Sequence, residues 1–194
     1  MILGITGGTG TGKSSVCKFF EKRGFVIIDS DRVARNVCEK GSACLDEIVQ
    51  EFGTDMLDEN GNLKRKELGR IVFSDGQKLN VLNEITHKYI VADINRIIED
   101  NMGKDVVVDA PLLIETNLDR ICDTTLCILA DKELRKKRIM ARDNLTSDEA
   151  QKRISSQPDD EFYTSRCDFV LYNNADTDSL YEKLFDMFGG NDGK

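Results

Sequence analysis

The fold is decided by GGTGTGKS at residues 7–14, which matches the phosphate-binding pattern GxxxxGK[ST] at every required position. The apolar run Met1–Thr6 before it predicts a short buried strand. The segment Lys13–Arg23 after it predicts a helix that ends at Gly24. Glycines in such a turn let successive backbone N–H groups point at phosphate oxygens, and the helix start adds its positive dipole end. Motif and context together predict a phosphate-binding loop, or P-loop.

Side chains of this loop are suited to nucleotide chemistry. Lys13 would reach the β- and γ-phosphates, and Ser14 would ligate Mg²⁺ through its hydroxyl. The alternative is a glycine-rich turn that binds nothing, which the complete motif and its context disfavour. The residues of this segment that we expect to bind ATP are Gly8, Gly10, Thr11, Gly12, Lys13, Ser14 and Ser15.

Strand-like and helix-like segments alternate along the chain. This alternation predicts a three-layer α/β fold, in which helices cover both faces of a parallel sheet. Unbroken apolar runs suit strands that are buried on both faces. After Met1–Thr6, the predicted strands are Phe25–Ile28, Val106–Val108, Thr124–Leu129 and Phe169–Leu171.

Two helical segments interrupt this core. The first, about residues 31–103, carries an apolar stripe from Leu79 to Ile97 and would cover the carboxyl ends of the strands, where open α/β sheets bind ligands. The second, about residues 131–166, is highly charged and would form a lid. We therefore expect a single domain with a helical substrate-binding insertion, a helical lid, a disordered tail over 189–194, and a core of about 1–30, 104–130 and 167–188.

Carboxylates follow two predicted strands at the ligand-binding edge of the sheet. Asp109 closes DVVVD, a Walker B arrangement that places an acid beside metal-bound phosphates, although a strand-end aspartate can also cap a turn. Asp29 and Asp31 follow the second strand, where a carboxylate could accept the proton of an attacking hydroxyl. Ser30 or Asp31 could instead be the N-cap of a helix that begins near Arg32. Spacing alone leaves both interpretations of Asp31 open.

Cations suited to phosphate oxygens recur in the lid segment. Arg135, Arg138 and Arg142 are spaced by three and four residues, so they share one face of a helix. Beside a P-loop, that face would bring arginines to the transferring phosphoryl group, and a solvated basic face is the alternative. His87, the single histidine, lies on a predicted helix, where it would either contact substrate or serve as a packed or capping group.

Composition excludes several classes of protein. The net charge of −8 opposes a nucleic-acid-binding surface. No apolar run approaches the roughly 20 residues that span a bilayer. The start MILGIT lacks the basic region of a signal peptide, so we expect a cytoplasmic location and no membrane partner. The six cysteines include no CxxC pair, and most are expected to be small core residues.

The remaining choice is between kinds of P-loop protein. A GTPase switch needs a guanine-reading NKxD element, and NNAD at residues 173–176 is only superficially close. A small P-loop domain with an acid after its second strand, a helical insertion and an arginine-bearing lid is typical of a metabolite kinase. These features leave the acceptor open. A nucleoside or nucleotide kinase and a nucleotide-binding regulator without transfer activity are the alternatives.

Several separated segments resemble the dephospho-CoA kinase family over nearly the whole chain. They are LGITGGTGTGKSSV at 3–16, IDSDRVAR at 28–35, DENGNLKRKELGRIVF at 58–73, LNEITHKYI at 82–90, VVVDAPLLIE at 106–115, RIMARDNLTSDEAQKRISSQ at 138–157 and CDFVLYNNA at 167–175. The resemblance implies transfer of the γ-phosphoryl group of ATP, with Mg²⁺, to the ribose 3′-hydroxyl of dephospho-CoA, the last step of CoA synthesis. A monomer or weak homo-oligomer is expected.

The resemblance also implies roles for individual residues. Asp31 matches the acidic position that engages the hydroxyl, and Lys13 and Arg138 would act with it in catalysis. Mg²⁺ would be held by Ser14 and Asp109. The positions that match contacts to dephospho-CoA are Asp31, Arg65, His87, Asp109 and Leu112. Outside the P-loop, the positions that match contacts to ATP are Arg142, Asn173 and Asn174.

Three positions depart from the family pattern. Lys88 stands where proline usually follows the histidine, so we expect a more continuous helix there. Tyr163 stands where lysine is common, which removes one phosphate contact. Ala175 replaces the usual glycine after the two asparagines, so the loop on the adenine side is expected to have a different shape.

Overall fold

Five strands form one parallel sheet in the computed structural model, which describes residues 1–189. They are β1 (Ile2–Thr6), β2 (Val26–Asp29), β3 (Val106–Asp109), β4 (Thr124–Leu129) and β5 (Phe169–Tyr172). Across the sheet they stand in the order β2-β3-β1-β4-β5. The predicted sheet is confirmed, and each strand end lies within one residue of its expected position. The end of the predicted disordered tail, residues 190–194, lies outside the described residues.

Helices fill the connections between the strands. Within residues 1–189 they are α1 (Lys13–Lys22), α2 (Ser30–Asn36), α3 (Ala43–Phe52), α4 (Arg65–Phe73), α5 (Gly76–Asp100), α6 (Lys132–Asp143), α7 (Ser147–Ser155), α8 (Asp160–Thr164) and α9 (Thr177–Phe188), with 3₁₀ turns at Thr54–Met56 and Leu118–Ile121. None of these helices is long and apolar enough to cross a membrane. The chain forms two compact units, one comprising Met1–Ile28 with the chain from Gly103 onward, the other Asp29–Met102.

In the first unit, both faces of the sheet are covered. Ile5 of β1 is fully buried in a cluster that contains Phe20 of α1 and Leu184 of α9. Successive strand residues point to opposite faces, and a separate cluster joins Cys127 of β4 to Tyr163 of α8. Tyr163, the aromatic residue at a position where the family often has lysine, is only 2% exposed and has become part of the core. The sheet is therefore the middle of three layers.

In the second unit, α2 to α5 surround a smaller core. This core comprises Cys38, Cys44, Ile48, Met56, Leu68 and Val72, and the predicted apolar stripe of α5 packs against it through Leu79, Leu82, Ile85 and Tyr89. α5 runs unbroken through Lys88, which confirms the continuous helix expected there. Lys88 Nζ lies 2.6 Å from Glu47 Oε2 of α3, and Tyr89 Oη donates to Glu47 Oε1 at 2.6 Å. These bonds lower the pKa of Glu47 and raise the pKa of Tyr89 to about 12.

A substitution at Phe20 tests the packing of the core in the first unit, because the Phe20 ring is fully buried and contacts Phe19, Phe25 and Phe188. We expect Phe20→Ala to lower the free energy of unfolding by about 3–5 kcal/mol through cavity formation. Urea denaturation followed by circular dichroism measures this loss. The control is Phe185→Ala on α9, which is 52% exposed and should cost less than about 1 kcal/mol; equal losses would contradict the packing described.

Candidate active site

The P-loop turns tightly between β1 and α1. Gly7, Gly10 and Gly12 have φ angles of 137°, 78° and 98°, a region that residues with side chains rarely adopt. A Cβ at Gly7 would also lie 2.2 Å from the carbonyl oxygen of Ile128 in β4. Glycine is therefore required here both for backbone conformation and for space.

Every carbonyl from residue 7 to residue 11 accepts a hydrogen bond from a side chain. Lys13 Nζ donates to the carbonyl of Gly7 and Thr11 Oγ1 to the carbonyl of Gly8, each at 2.8 Å. The next three carbonyls are bound by side chains from much later in the chain, namely Arg135, Arg138 and Asn173. With its carbonyls held in this way, the loop has a fixed shape, and its N–H groups can serve a phosphate.

The tip of the loop is held by two side chains of the lid segment. Arg135 Nε donates to the carbonyl of Thr9 at 2.9 Å, and Thr9 N donates to Gln157 Oε1 at 2.8 Å. Arg135 Nη2 donates to the same Gln157 oxygen at 2.9 Å, which closes a ring of three hydrogen bonds. The helical spacing predicts that Arg135, with Arg138 and Arg142, faces the transferring phosphoryl group, whereas in the structure it binds the loop backbone. No role was predicted for Gln157. The only sequence signal for Gln157 was its place at the end of the segment 138–157.

The other side of the loop is held from β5 and α6. Asn173 is only 6% exposed and donates from Nδ2 to the carbonyl of Thr11 at 2.8 Å. Arg138 Nη1 donates to the carbonyl of Asn173 at 3.1 Å and lies 3.4 Å and 3.5 Å from the carbonyl oxygens of Gly10 and Thr11. In this structure the Asn173 amide, which the family resemblance places near adenine, is engaged by the P-loop backbone.

Two other candidate ATP-binding residues lie at opposite ends of α6. Asn174 Nδ2 donates to Asp131 Oδ1 at 2.8 Å, and Asp131 N donates to Asn174 Oδ1 at 2.9 Å. At the far end, Arg142 donates from Nε and Nη2 to the Asp143 carboxylate at 2.8 Å and 2.9 Å. Arg142 Nη2 also lies 3.4 Å from Thr9 Oγ1. The bonds between Arg142 and Asp143 raise the pKa of the arginine and lower the pKa of the aspartate.

The three arginines on this face of α6 have different surroundings. Arg135 is 4% exposed and Arg138 is half-buried, and burial lowers the pKa of both guanidinium groups. Arg142 is exposed, and Asp143 balances its charge. All three contact the P-loop, so the structure brings the basic face and the phosphate-binding motif together.

Oxygen donors suited to Mg²⁺ lie close to the P-loop in the chain or in the sheet. Asp109 ends β3 in register with Ile5 of β1, so its half-buried carboxylate lies one strand from the start of the loop. Ser14 is exposed in the first turn of α1, and Leu112, beyond Asp109, is 56% exposed. No group of three or more His, Cys, Asp or Glu residues within 1–189 could hold a metal. Ser14 and Asp109 fit an ion that takes its other ligands from phosphate and water.

Asp31 lies in the second unit, exposed in the first turn of α2. The N-cap of α2 is Asp29, whose Oδ1 accepts from Arg32 N at 3.1 Å. The alternative in which Ser30 or Asp31 caps this helix is therefore wrong, because the helix begins earlier, at Ser30 itself. The Asp31 carboxylate is thus not the N-cap of its own helix.

Arg65 and His87 also lie in the second unit. Arg65 is exposed at the start of α4 and donates from Nη2 to the carbonyl of Arg35 at 2.8 Å, which ties α4 to α2. His87 is half-buried on α5. Both side chains are therefore carried by helices of the inserted segment.

Comparison with known proteins identifies the family. A family model described as dephospho-CoA kinase matches residues 1–179. This chain belongs to the dephospho-CoA kinase family. A dephospho-CoA kinase from Fusobacterium nucleatum is 38% identical over 184 residues, which cover 95% of each chain. The resemblance seen in the separated sequence segments is thereby confirmed.

Solved structures show the fold of this dephospho-CoA kinase family member. A dephospho-CoA kinase from Campylobacter jejuni matches with a TM-score of 0.71 at 28% identity, covering 97% of this chain and 95% of that chain. A crystal structure of a protein from Thermus thermophilus matches with a TM-score of 0.85 at 28% identity, covering 100% and 98%. The predicted P-loop kinase fold and the assignment of the chain as a nucleotide-using kinase are confirmed.

A substitution at Gly12 tests whether the hydrogen bond from Asn173 to the carbonyl of Thr11 shapes the loop, because a Cβ at Gly12 would lie 2.2 Å from Asn173 Nδ2. We expect Gly12→Ala to weaken nucleotide binding at least about tenfold, since the methyl group displaces Asn173 from the carbonyl of Thr11. Titration with a fluorescent ATP analogue measures the change.

The matched control is Gly24→Ala. Gly24 has a similar φ of 87°, but a Cβ there meets nothing within 4 Å. This variant carries the left-handed strain of about 1–2 kcal/mol without the clash, and it should bind nucleotide normally. Equal loss of binding in both variants would assign the effect to strain and not to the Asn173 contact.

Proposed function

We propose that the chain transfers the γ-phosphoryl group of ATP to the ribose 3′-hydroxyl of dephospho-CoA, giving CoA and ADP in the final step of CoA synthesis. The observation that carries this proposal is a P-loop with side-chain-bound carbonyls in a chain that matches the dephospho-CoA kinase family over residues 1–179. A loop held in this way receives phosphates with little reorganisation, which favours both binding and transfer.

The nucleotide side of the proposed site stabilises charge. Phosphoryl transfer spreads negative charge over the equatorial oxygens, so catalysis consists largely of positioning and of placing cations. Lys13, which rests on a loop carbonyl, would turn to the β- and γ-phosphates, and Arg138 and Arg142 would add positive charge from the lid. Ser14 and Asp109 would hold Mg²⁺, and the bound ion would neutralise negative charge on the phosphate oxygens.

The acceptor is proposed to bind the helical insertion, about residues 31–103. Asp31 presents an exposed carboxylate that is not used as the helix cap, and such a group can accept the proton of the attacking hydroxyl. The other proposed contacts to dephospho-CoA are Arg65, His87, Asp109 and Leu112.

The lid, about residues 131–166, would close over the bound nucleotide, with Asn173 and Asn174 on the adenine side. We place the reaction in the cytoplasm and expect a monomer or weak homo-oligomer. Its ligands would be ATP and dephospho-CoA, and the net charge of −8 argues against a nucleic-acid partner.

A coupled assay of ADP release tests the proposed reaction directly. With Mg-ATP we expect turnover with dephospho-CoA and none with a panel of nucleosides and nucleoside monophosphates, and the product should have the mass of CoA. EDTA should abolish turnover by removing the metal. Turnover with a nucleotide acceptor would keep the fold and replace the substrate, whereas silence with every acceptor would favour a nucleotide-binding regulator.

Asp31→Asn tests the proposed base. We expect kcat to fall by about 10²–10⁴-fold, because an amide cannot accept the hydroxyl proton, while the affinity for ATP stays unchanged. Steady-state kinetics and nucleotide titration separate the two effects. Lys13→Ala should behave differently, weakening both ATP binding and turnover.

The matched control for this variant is Asp46→Asn. Asp46 lies in the first turn of α3 as Asp31 lies in the first turn of α2, so both substitutions remove a carboxylate that favours a helix start. Asp46→Asn should retain normal turnover. If Asp31→Asn also retains it, Asp31 has no part in the mechanism.

A further inference from the structure

Thr9, Arg135 and Gln157 form a closed group that we call the Thr9 clasp. Both polar groups of the Thr9 backbone are bound by it: the carbonyl accepts from Arg135 Nε and the N–H donates to Gln157 Oε1. The two side chains are also bonded to each other through Arg135 Nη2. The P-loop tip is thus fixed by residues 126 and 148 positions away in sequence.

Arg135 occupies a costly environment for a cation. Its side chain is 4% exposed, and burial lowers its pKa. Within the part of the chain that is described, no carboxylate lies at ion-pair distance from it, and the negative charge of Asp160 on α8 acts on it from farther away and raises its pKa. A buried charge without a closely paired opposite charge is destabilising unless hydrogen bonds satisfy it. The direct partners that hold the buried guanidinium are therefore the carbonyl of Thr9 and the side chain of Gln157.

The backbone of the P-loop and the guanidinium group of Arg135 lie in close contact. A Cβ at Gly8 would lie 2.3 Å from Arg135 Nη2 and 3.0 Å from Gln157 Oε1. The clasp therefore sits directly against the backbone of the loop, where only a glycine leaves room for it. Arg138 and Arg142, by contrast, lie 3.4 Å or more from the P-loop atoms they approach.

We propose that the Thr9 clasp fixes the P-loop tip in its phosphate-receiving shape, so that Arg135 and Gln157 are positioning residues for the nucleotide. Arg135 lies on α6 and Gln157 lies between α7 and α8, so the shape of the loop depends on how these lid helices are packed. The inference rests on the proposed function only in that the P-loop binds a nucleotide. It assigns neither residue a contact with the acceptor.

The test compares Arg135→Ala, Gln157→Ala and the double variant, using affinity for a fluorescent ATP analogue measured without acceptor. Each single substitution opens the ring, so we expect about tenfold weaker binding in each. The double variant should be no weaker than the worse single one, because residues acting through one network are not additive. In steady-state kinetics, KM for ATP should rise while KM for dephospho-CoA stays unchanged.

Two further variants serve as controls. Gln157→Glu keeps an acceptor oxygen for both Thr9 N and Arg135, so it should bind the analogue more tightly than Gln157→Ala at high salt, where repulsion between its added negative charge and the phosphates is screened. Lys137→Ala removes a positive charge from an exposed position of the same helix and should leave binding unchanged. Thermal unfolding of every variant identifies any that fails to fold, and if Arg135→Ala does, the pair Gln157→Ala and Gln157→Glu decides.

Three results would overturn the clasp: Arg135→Ala and Gln157→Ala binding as tightly as Lys137→Ala, additive losses in the double variant, or an equal rise of KM for both substrates. Because binding is measured without acceptor, failure to phosphorylate dephospho-CoA would refute the proposed reaction and leave this test intact.

Discussion

A loop that offers its N–H groups to an anion cannot satisfy its own carbonyls in a helix or sheet ladder, and this constraint governs the first unit. Backbone polar groups away from water need partners, and each carbonyl from residue 7 to residue 11 obtains one from a side chain. The partners come from the loop itself, from α6 and from the end of β5. The position of α6 across the loop follows from the same need, and so does the glycine at position 8, where a Cβ would lie 2.3 Å from Arg135 Nη2.

Local signals in the sequence were sufficient for the strands and for the P-loop. The residues that flank an apolar run mark where the strand begins and ends, so the strand ends were predictable to within one residue. The spacing of the glycines is sufficient to predict the P-loop. The partners of the loop were not predictable in this way. Arg135 and Asn173 lie 126 and 162 positions from the carbonyls they bind, and such distant pairs leave no periodic trace in a sequence. The cap of α2 was missed because Asp29, Ser30 and Asp31 are all good N-cap residues.

The cysteines and Tyr163 show how composition can report on the core. Four of the six cysteines are buried, and burial raises the pKa of Cys44 and of Cys122 to about 12. Such thiols are neutral near pH 7 and poor nucleophiles, which agrees with their expected role as small packing residues. Tyr163 is likewise a packing residue: its aromatic ring stands at a position often occupied by lysine and packs against β4.

The central place of β1 has a consequence for biosynthesis. β1 pairs with β3 and β4, whose residues follow it by more than half the chain, and the loop next to β1 needs Asn173 from near the other end. At roughly 5–20 residues per second, translation leaves β1 without its sheet neighbours for on the order of ten seconds. During that time the apolar strand has no sheet neighbour against which to pair. A nascent chain cannot complete the nucleotide cradle until Asn173 has left the ribosome.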